Sequence, residues 1–129
     1  MIISMAWTAS PYLAGHKTCT RRIWTDAYLV QWQRAWDEGR LVHDVYDRSP
    51  RVGGKRIGQM RLTARPCRER LADMPESDLQ AEGGLWSSKE EFIELFGGPH
   101  LAPVVIRFEP LPIAAQTAAD DCRQMEMFG

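Results

Sequence analysis

Hydrophobic positions along the chain follow two periods, and their alternation predicts the order of elements. Residues 2–7 form a short apolar run that predicts a buried first strand. Ser10-Pro11 then offers a helix start, with Ser10 as cap and Pro11 at the first helical position, and Gly15 ends a single turn. Residues 17–23 predict a second strand. Thr25 or Asp26 caps a helix running to about Glu38, because Tyr28, Leu29, Trp32, Ala35 and Trp36 recur at helical spacing and Gly39 stops it.

Period two returns in residues 41–48. Leu41, His43, Val45 and Asp47 fall on one face, with Val42, Asp44, Tyr46 and Arg48 on the other. The turn signal Ser49-Pro50-Arg51-Val52-Gly53-Gly54 joins that strand to another over residues 55–64, whose core face is Gly58, Met60, Leu62 and Ala64. Residues 67–72 predict a helix, and a second short helix begins near Pro75 and ends at Gly83-Gly84. A third begins at Ser87 or Ser88, with acidic residues in its first turn and Phe92, Ile93, Leu95 and Phe96 on its apolar face. Residues 104–108 close the domain as a buried strand, and residues 112–129, which lack periodicity, predict a flexible tail. The fold class expected is α+β, a small mixed β-barrel with short helices packed on its sides and ends.

Charge adds an asymmetry to this picture. The 129 residues sum to a net charge of −1, yet residues 1–70 carry 13 Lys and Arg against 6 Asp and Glu, and residues 71–129 carry 3 against 11. Such a split is either neutralised across the folded domain or leaves one face basic enough to attract phosphates. No run of 18 apolar residues predicts a membrane span. Residues 1–7 lack the basic flank and long apolar stretch of a secretory signal. Cys19, Cys67 and Cys122 are widely spaced, and His16, His43 and His100 do not join them at ligand spacing. No disulfide framework, metal or other cofactor is expected, and the location expected is cytoplasmic.

The candidate chemistry concentrates in residues 15–22, Gly-His-Lys-Thr-Cys-Thr-Arg-Arg. Lys17, Arg21 and Arg22 bring cations, and Thr18 and Thr20 bring hydroxyls. Unpaired cations are awkward in a core, so the stretch reads either as a polar edge strand or as an anion-facing strand at the mouth of a site. Trp24, Trp32 and Trp36 lie close together and serve either the core or a base-stacking platform. Arg48, Arg51 and Lys55 put a basic tip on the hairpin over residues 41–64, suited to phosphate contact.

The octet resembles the signature of the ASCH domain family, which shares a barrel with PUA-type RNA-binding domains. Gly15, Lys17 and Arg22 occupy its glycine, lysine and arginine positions, and Thr20 a further position commonly filled. The elements in front of the octet match the family order. So do the stretch Leu79-Gln80-Ala81-Glu82-Gly83-Gly84, the helix at Phe92–Phe96 and the strand at Val104–Phe108. The resemblance spans about residues 1–111, with the segment 23–54 more elaborate than in minimal members and a usual glycine–aspartate turn missing.

The resemblance implies recognition of RNA, DNA or a modified nucleoside by a pocket built on residues 15–22 and Glu82. The ligand-binding residues expected are Gly15, Arg21 and Arg22, joined by Trp24 and by Arg48, Arg51 and Lys55 of the hairpin tip. It also implies, as an alternative, an amidohydrolase that removes acetyl from N(4)-acetylcytidine with Lys17, Thr20 and Glu82 at the site. A regular strand would turn Lys17 and Thr20 to opposite sides, so a shared site requires the backbone near residues 15–18 to turn or bulge. Finally, Gln124-Met125-Glu126-Met127-Phe128 is similar to the short clamp-binding peptides of bacterial replication and repair proteins, which makes a sliding clamp a further expected partner.

Overall fold

The computed structural model describes residues 1–112, so the tail and its clamp-like peptide lie outside the described residues. Six strands form one curled sheet, a half-barrel, with short helices against it. The strands are β1 (Ile2–Ser4), β2 (Cys19–Arg22), β3 (Val42–Tyr46), β4 (Arg56–Leu62), β5 (Cys67–Arg68) and β6 (Val104–Pro112). They run in the order β1-β3-β4-β6-β2, with β5 also on β6. All pairs are antiparallel except β1 with β3.

The period-two pattern of residues 41–64 places the core. His43, Val45, Gly58, Met60 and Leu62 are buried, while Val42 and Arg61 face out. The turn between β3 and β4 needs its glycines. A Cβ on Gly54 would sit 1.8 Å from the Arg48 carbonyl oxygen, so only a residue without a side chain fits. The α-helices among the described residues are α1 (Ala9–Leu13), α2 (Asp26–Asp37), α3 (Asp78–Ala81) and α4 (Lys89–Phe96). Thr25 caps α2 by accepting from the Tyr28 amide, and Ser88 caps α4 by accepting from Glu91. Trp32 from α2 is fully buried against Ile3, Val45, Ile106 and Phe108. A second cluster, Leu71, Met74 and Phe92, holds α4.

Several expected elements differ, and the closing strand, expected over residues 104–108, runs on to Pro112 along β4. Residues 67–72 are not helical: Cys67 and Arg68 pair with Val105 and Val104, and Leu71–Asp73 is a single 3-10 turn. A helix that short is marginal alone, and the edge of β6 offers backbone partners instead. The first strand stops at Ser4 because Ala6 turns into left-handed backbone (φ 49), and Ala6–Thr8 becomes a 3-10 turn. Helix α1 begins at Ala9 rather than at Pro11, since Thr8 already closes the preceding turn by donating its hydroxyl to the Met5 carbonyl. The second strand is shorter than residues 17–23, spanning only Cys19–Arg22.

Candidate functional site

Strand β2 stands last in the sheet order, so among the described residues it pairs with β6 alone and keeps one edge free of strand partners. At this strand lies a cavity of about 150 Å3. Its lining draws Lys17, Thr20, Arg21 and Arg22 from in and around β2, and Glu82 from the end of α3. Met5, Ala6, Trp7 and Thr8 come from the 3-10 turn, and Trp86, Phe92 and Phe96 from the α4 region. Lys17, Thr20, Arg22 and Glu82 therefore share one cavity.

Alternation along β2 explains how the charges are sorted. Cys19 and Arg21 point towards α3, where Arg21 Nη1 donates to Glu82 Oε1 at 3.0 Å and Nη2 to Asp78 Oδ2 at 2.6 Å and Glu69 Oε1 at 2.7 Å. Arg107 on β6 completes the network with two bonds to Asp78. Thr20 and Arg22 point the other way. Arg22 Nε donates to Thr20 Oγ1 at 3.2 Å, and Nη2 donates to the Ser4 carbonyl. Among the described residues, Arg22 is in ion-pair contact with no carboxylate.

Lys17 precedes the regular strand. Its backbone amide and that of His16 donate to the Pro11 carbonyl, after Gly15 has bent the chain in left-handed backbone (φ 78). The Lys17 ammonium, 1% exposed, donates to the Glu82 carbonyl oxygen at 2.7 Å and to Glu82 Oε2 at 3.2 Å. Lys17 and Arg21 are thus buried after all, because each is paired with a carboxylate, while Gly15, His16 and Thr18 of the same octet stay exposed. The basic and acidic halves of the chain neutralise one another here. Lys17 and Arg21 meet Glu82 and Asp78, partners more than fifty residues away.

Burial sets the titration behaviour. It pulls the Lys17 amine below its ordinary value, with the Glu82 carboxylate opposing, and it lowers Arg22 in the same way. Burial would also lower Arg21, but its bonds to Asp78 and Glu69 and the charge of Glu82 lift it above the usual value. The Cys19 thiol is pushed up to about 12 by burial, with Glu82 adding to the rise. A thiol so rarely ionised is a poor nucleophile. Two hydroxyls line the cavity: Thr8, which donates its own to the Met5 carbonyl, and Thr20, 3% exposed, which accepts from Arg22.

The remaining expected site residues stand elsewhere. Trp24 stacks on Tyr28 and Trp32, with ring centroids 4.6 and 5.5 Å apart, and packs against the main core rather than lining the cavity. Arg48, Arg51 and Lys55 are exposed on the hairpin turn and do not line it either. Gly15 acts on the backbone path, not on the lining. The sequence reading does not single out Glu69, Asp78 and Arg107; Asp78 belongs to the acidic half that follows the basic one, whereas Glu69 and Arg107 carry no such signal. It also passed over Trp7 and Trp86, which carry no period that marks a cavity wall.

Among the described residues no His, Cys, Asp or Glu group gathers as a metal site requires, and no helix is long and apolar enough to cross a membrane. No family model, no curated protein and no solved structure matches the chain.

Proposed function

We propose that the cavity takes one modified nucleobase at a time and hydrolyses an exocyclic amide on it, N(4)-acetylcytidine being the substrate that the ASCH resemblance suggests. The half-barrel and its short helices are compatible with a PUA-like domain. The observation that carries the proposal is the convergence of Lys17, Thr20, Arg22 and Glu82 on one cavity of about 150 Å3. In other proteins a cavity of about this volume holds a single benzene-sized ring, so a pyrimidine fits while a whole nucleoside does not. The sugar stays outside, where a free nucleoside or a base flipped from RNA or DNA present alike.

In this scheme Thr20 Oγ1 bonds to the acetyl carbon and passes its proton to a neutral Lys17 amine. Arg22 meets the oxyanion that forms. The bond from the acetyl carbon to N4 breaks, and Lys17 returns the proton to N4. Water then bonds to the acetyl carbon on Thr20 while Glu82 takes its proton. The acetyl carbon–Oγ1 bond breaks, Glu82 passes the proton to Oγ1, and acetic acid leaves and ionises to acetate.

A second possibility is binding without turnover, and one contact favours it. Lys17 donates two bonds to Glu82, an arrangement that suits a charged ammonium holding a ligand oxygen rather than a base. Incubating the protein with N(4)-acetylcytidine and following cytidine release separates the two. Turnover that Lys17→Ala abolishes supports the hydrolase. Absent turnover with salt-dependent RNA binding supports the module.

A further inference from the structure

Trp7 is the most exposed of the large side chains that line the cavity, with 63% of its surface accessible. An indole left in water contributes little to folding. The chain nevertheless fixes it firmly. Ala6, immediately before it, adopts φ 49, and among the described residues it is the one non-glycine with positive φ. Backbone in that region is unfavourable for an alanine and persists where surrounding contacts enforce it. Those contacts are present. The Met5 amide donates to the Tyr46 carbonyl at 2.9 Å, and the Thr8 amide and hydroxyl both donate to the Met5 carbonyl, at 3.0 and 2.7 Å.

The turn so held presents Trp7 to Trp86, ring centroids 5.6 Å apart and planes at 79°. Trp86 is braced in turn by Phe92, 4.7 Å away at 84°. A flat ring lying parallel to Trp7 would meet Trp86 at close to a right angle. Those are the two arrangements that aromatic pairs prefer. The Trp86 indole nitrogen is buried without a hydrogen-bond partner among the described residues, leaving a donor in this wall unanswered.

From this geometry we propose that Trp7 is the stacking surface of the cavity and a specificity-determining residue for a flat heterocyclic ligand. The proposal rests on reading the cavity as a nucleobase site, and it assigns Trp7 the outer wall against which the base lies. Strain at Ala6 is then the cost of aiming an exposed ring at the ligand. Selection is for a planar π-face rather than for apolar bulk.

The test uses the full chain with Trp7→Ala, Trp7→Leu and Trp7→Phe. Affinity is measured by calorimetry for N(4)-acetylcytidine, cytidine, uridine and adenosine, alongside thermal melting. Base stacking on an aromatic side chain accounts for about 5- to 150-fold in affinity by alanine substitution. Trp7→Ala and Trp7→Leu are expected to lose affinity in that range, Trp7→Phe to stay near wild type, and all three to melt close to wild type because the side chain is largely in solvent. Wild-type affinity in Trp7→Ala or Trp7→Leu overturns the stacking role while leaving the nucleobase reading in place. Trp7-dependent binding of another nucleoside but not N(4)-acetylcytidine upholds the stacking role and removes the proposed substrate. A wild-type protein that binds none of the four overturns both.

Discussion

Arg21 and Arg22 are consecutive residues of one strand, yet their guanidiniums meet opposite surroundings. Arg21 contacts the carboxylates of Glu69, Asp78 and Glu82, whereas Arg22 contacts the Thr20 hydroxyl and the Ser4 carbonyl. Strand alternation alone produces this division, sending odd positions to the acids of α3 and even positions towards β1. Adjacent and chemically identical, the two arginines therefore have different work. Arg21 compensates buried charge, and under the proposed function Arg22 is the cation left for a ligand.

Substitution should separate them. Arg21→Met leaves three carboxylates short of a partner, and breaking a buried ion network of this kind costs about 3–5 kcal/mol. Arg22→Gln gives up charged hydrogen bonds to neutral acceptors, about 1.5–3 kcal/mol. In the hydrolase, removing a donor to the oxyanion lowers kcat by about 100- to 1000-fold. Urea denaturation and turnover of N(4)-acetylcytidine together check the pair. Equal destabilisation by both, or full turnover in a folded Arg22→Gln, would contradict the division.

Lys17 predicts a rising pH profile. Burial lowers its pKa from 10.5, so the folded chain releases this proton before the unfolded chain does. Turnover that needs the neutral amine climbs as pH passes through the lowered value, at a lower pH than an ordinary lysine would require. Stability moves in the same direction, because over that interval the unfolded state binds more protons. Lys17→Met should remove both trends. A kcat/KM profile that stays flat up to the ordinary lysine range would rule out the base role.

Asp78 predicts sensitivity to acid. Burial alone would raise its pKa, but hydrogen bonds from Arg107 and Arg21 outweigh that and hold it below 3.8. A depressed carboxylate contributes stability that is complete above the unfolded value and is lost as pH falls through the folded one. Melting followed downwards through pH 3.8 should show the wild type losing stability that Asp78→Asn, already less stable at neutral pH, no longer has to lose. Parallel curves for the two proteins would contradict this.

Legibility in the sequence followed the kind of signal each part carries. Helix α2 was readable because Thr25 caps it, five apolar residues repeat at helical spacing and Gly39 stops it. The hairpin was readable because a two-residue period runs through both of its strands. Residues 67–72 misled, since their local helical pattern yields to backbone pairing with β6, which no nearby residue announces. Half of the cavity was legible as the octet and Glu82. The aromatic half was not, because Trp7 is placed by a left-handed turn at Ala6 that alanine does not signal. The ion network lay within the charge split, which composition left open between neutralisation across the domain and a basic face. Lys17 and Arg21 meet Glu82 and Asp78 in the core, but charge totals do not say which residues pair.

The hairpin tip offers the last prediction, because it separates recognition of a base from recognition of a strand. Arg48, Arg51 and Lys55 are exposed, lie outside the cavity, and form no ion pair among the described residues. The turn that carries them is held by Ser49, whose carbonyl accepts from the Val52 and Gly54 amides, and by a Gly54 that admits no side chain. A rigid loop with three unneutralised cations suits phosphates. A free nucleoside has none, so replacing all three with alanine should leave N(4)-acetylcytidine turnover unchanged. Single-stranded RNA loses about 0.7 from the slope of log affinity against log salt for each phosphate contact removed. The triple variant should therefore flatten that slope by about 2 if all three cations meet phosphates. An unchanged slope would reduce the tip to a solvated loop and leave the cavity alone to select the ligand.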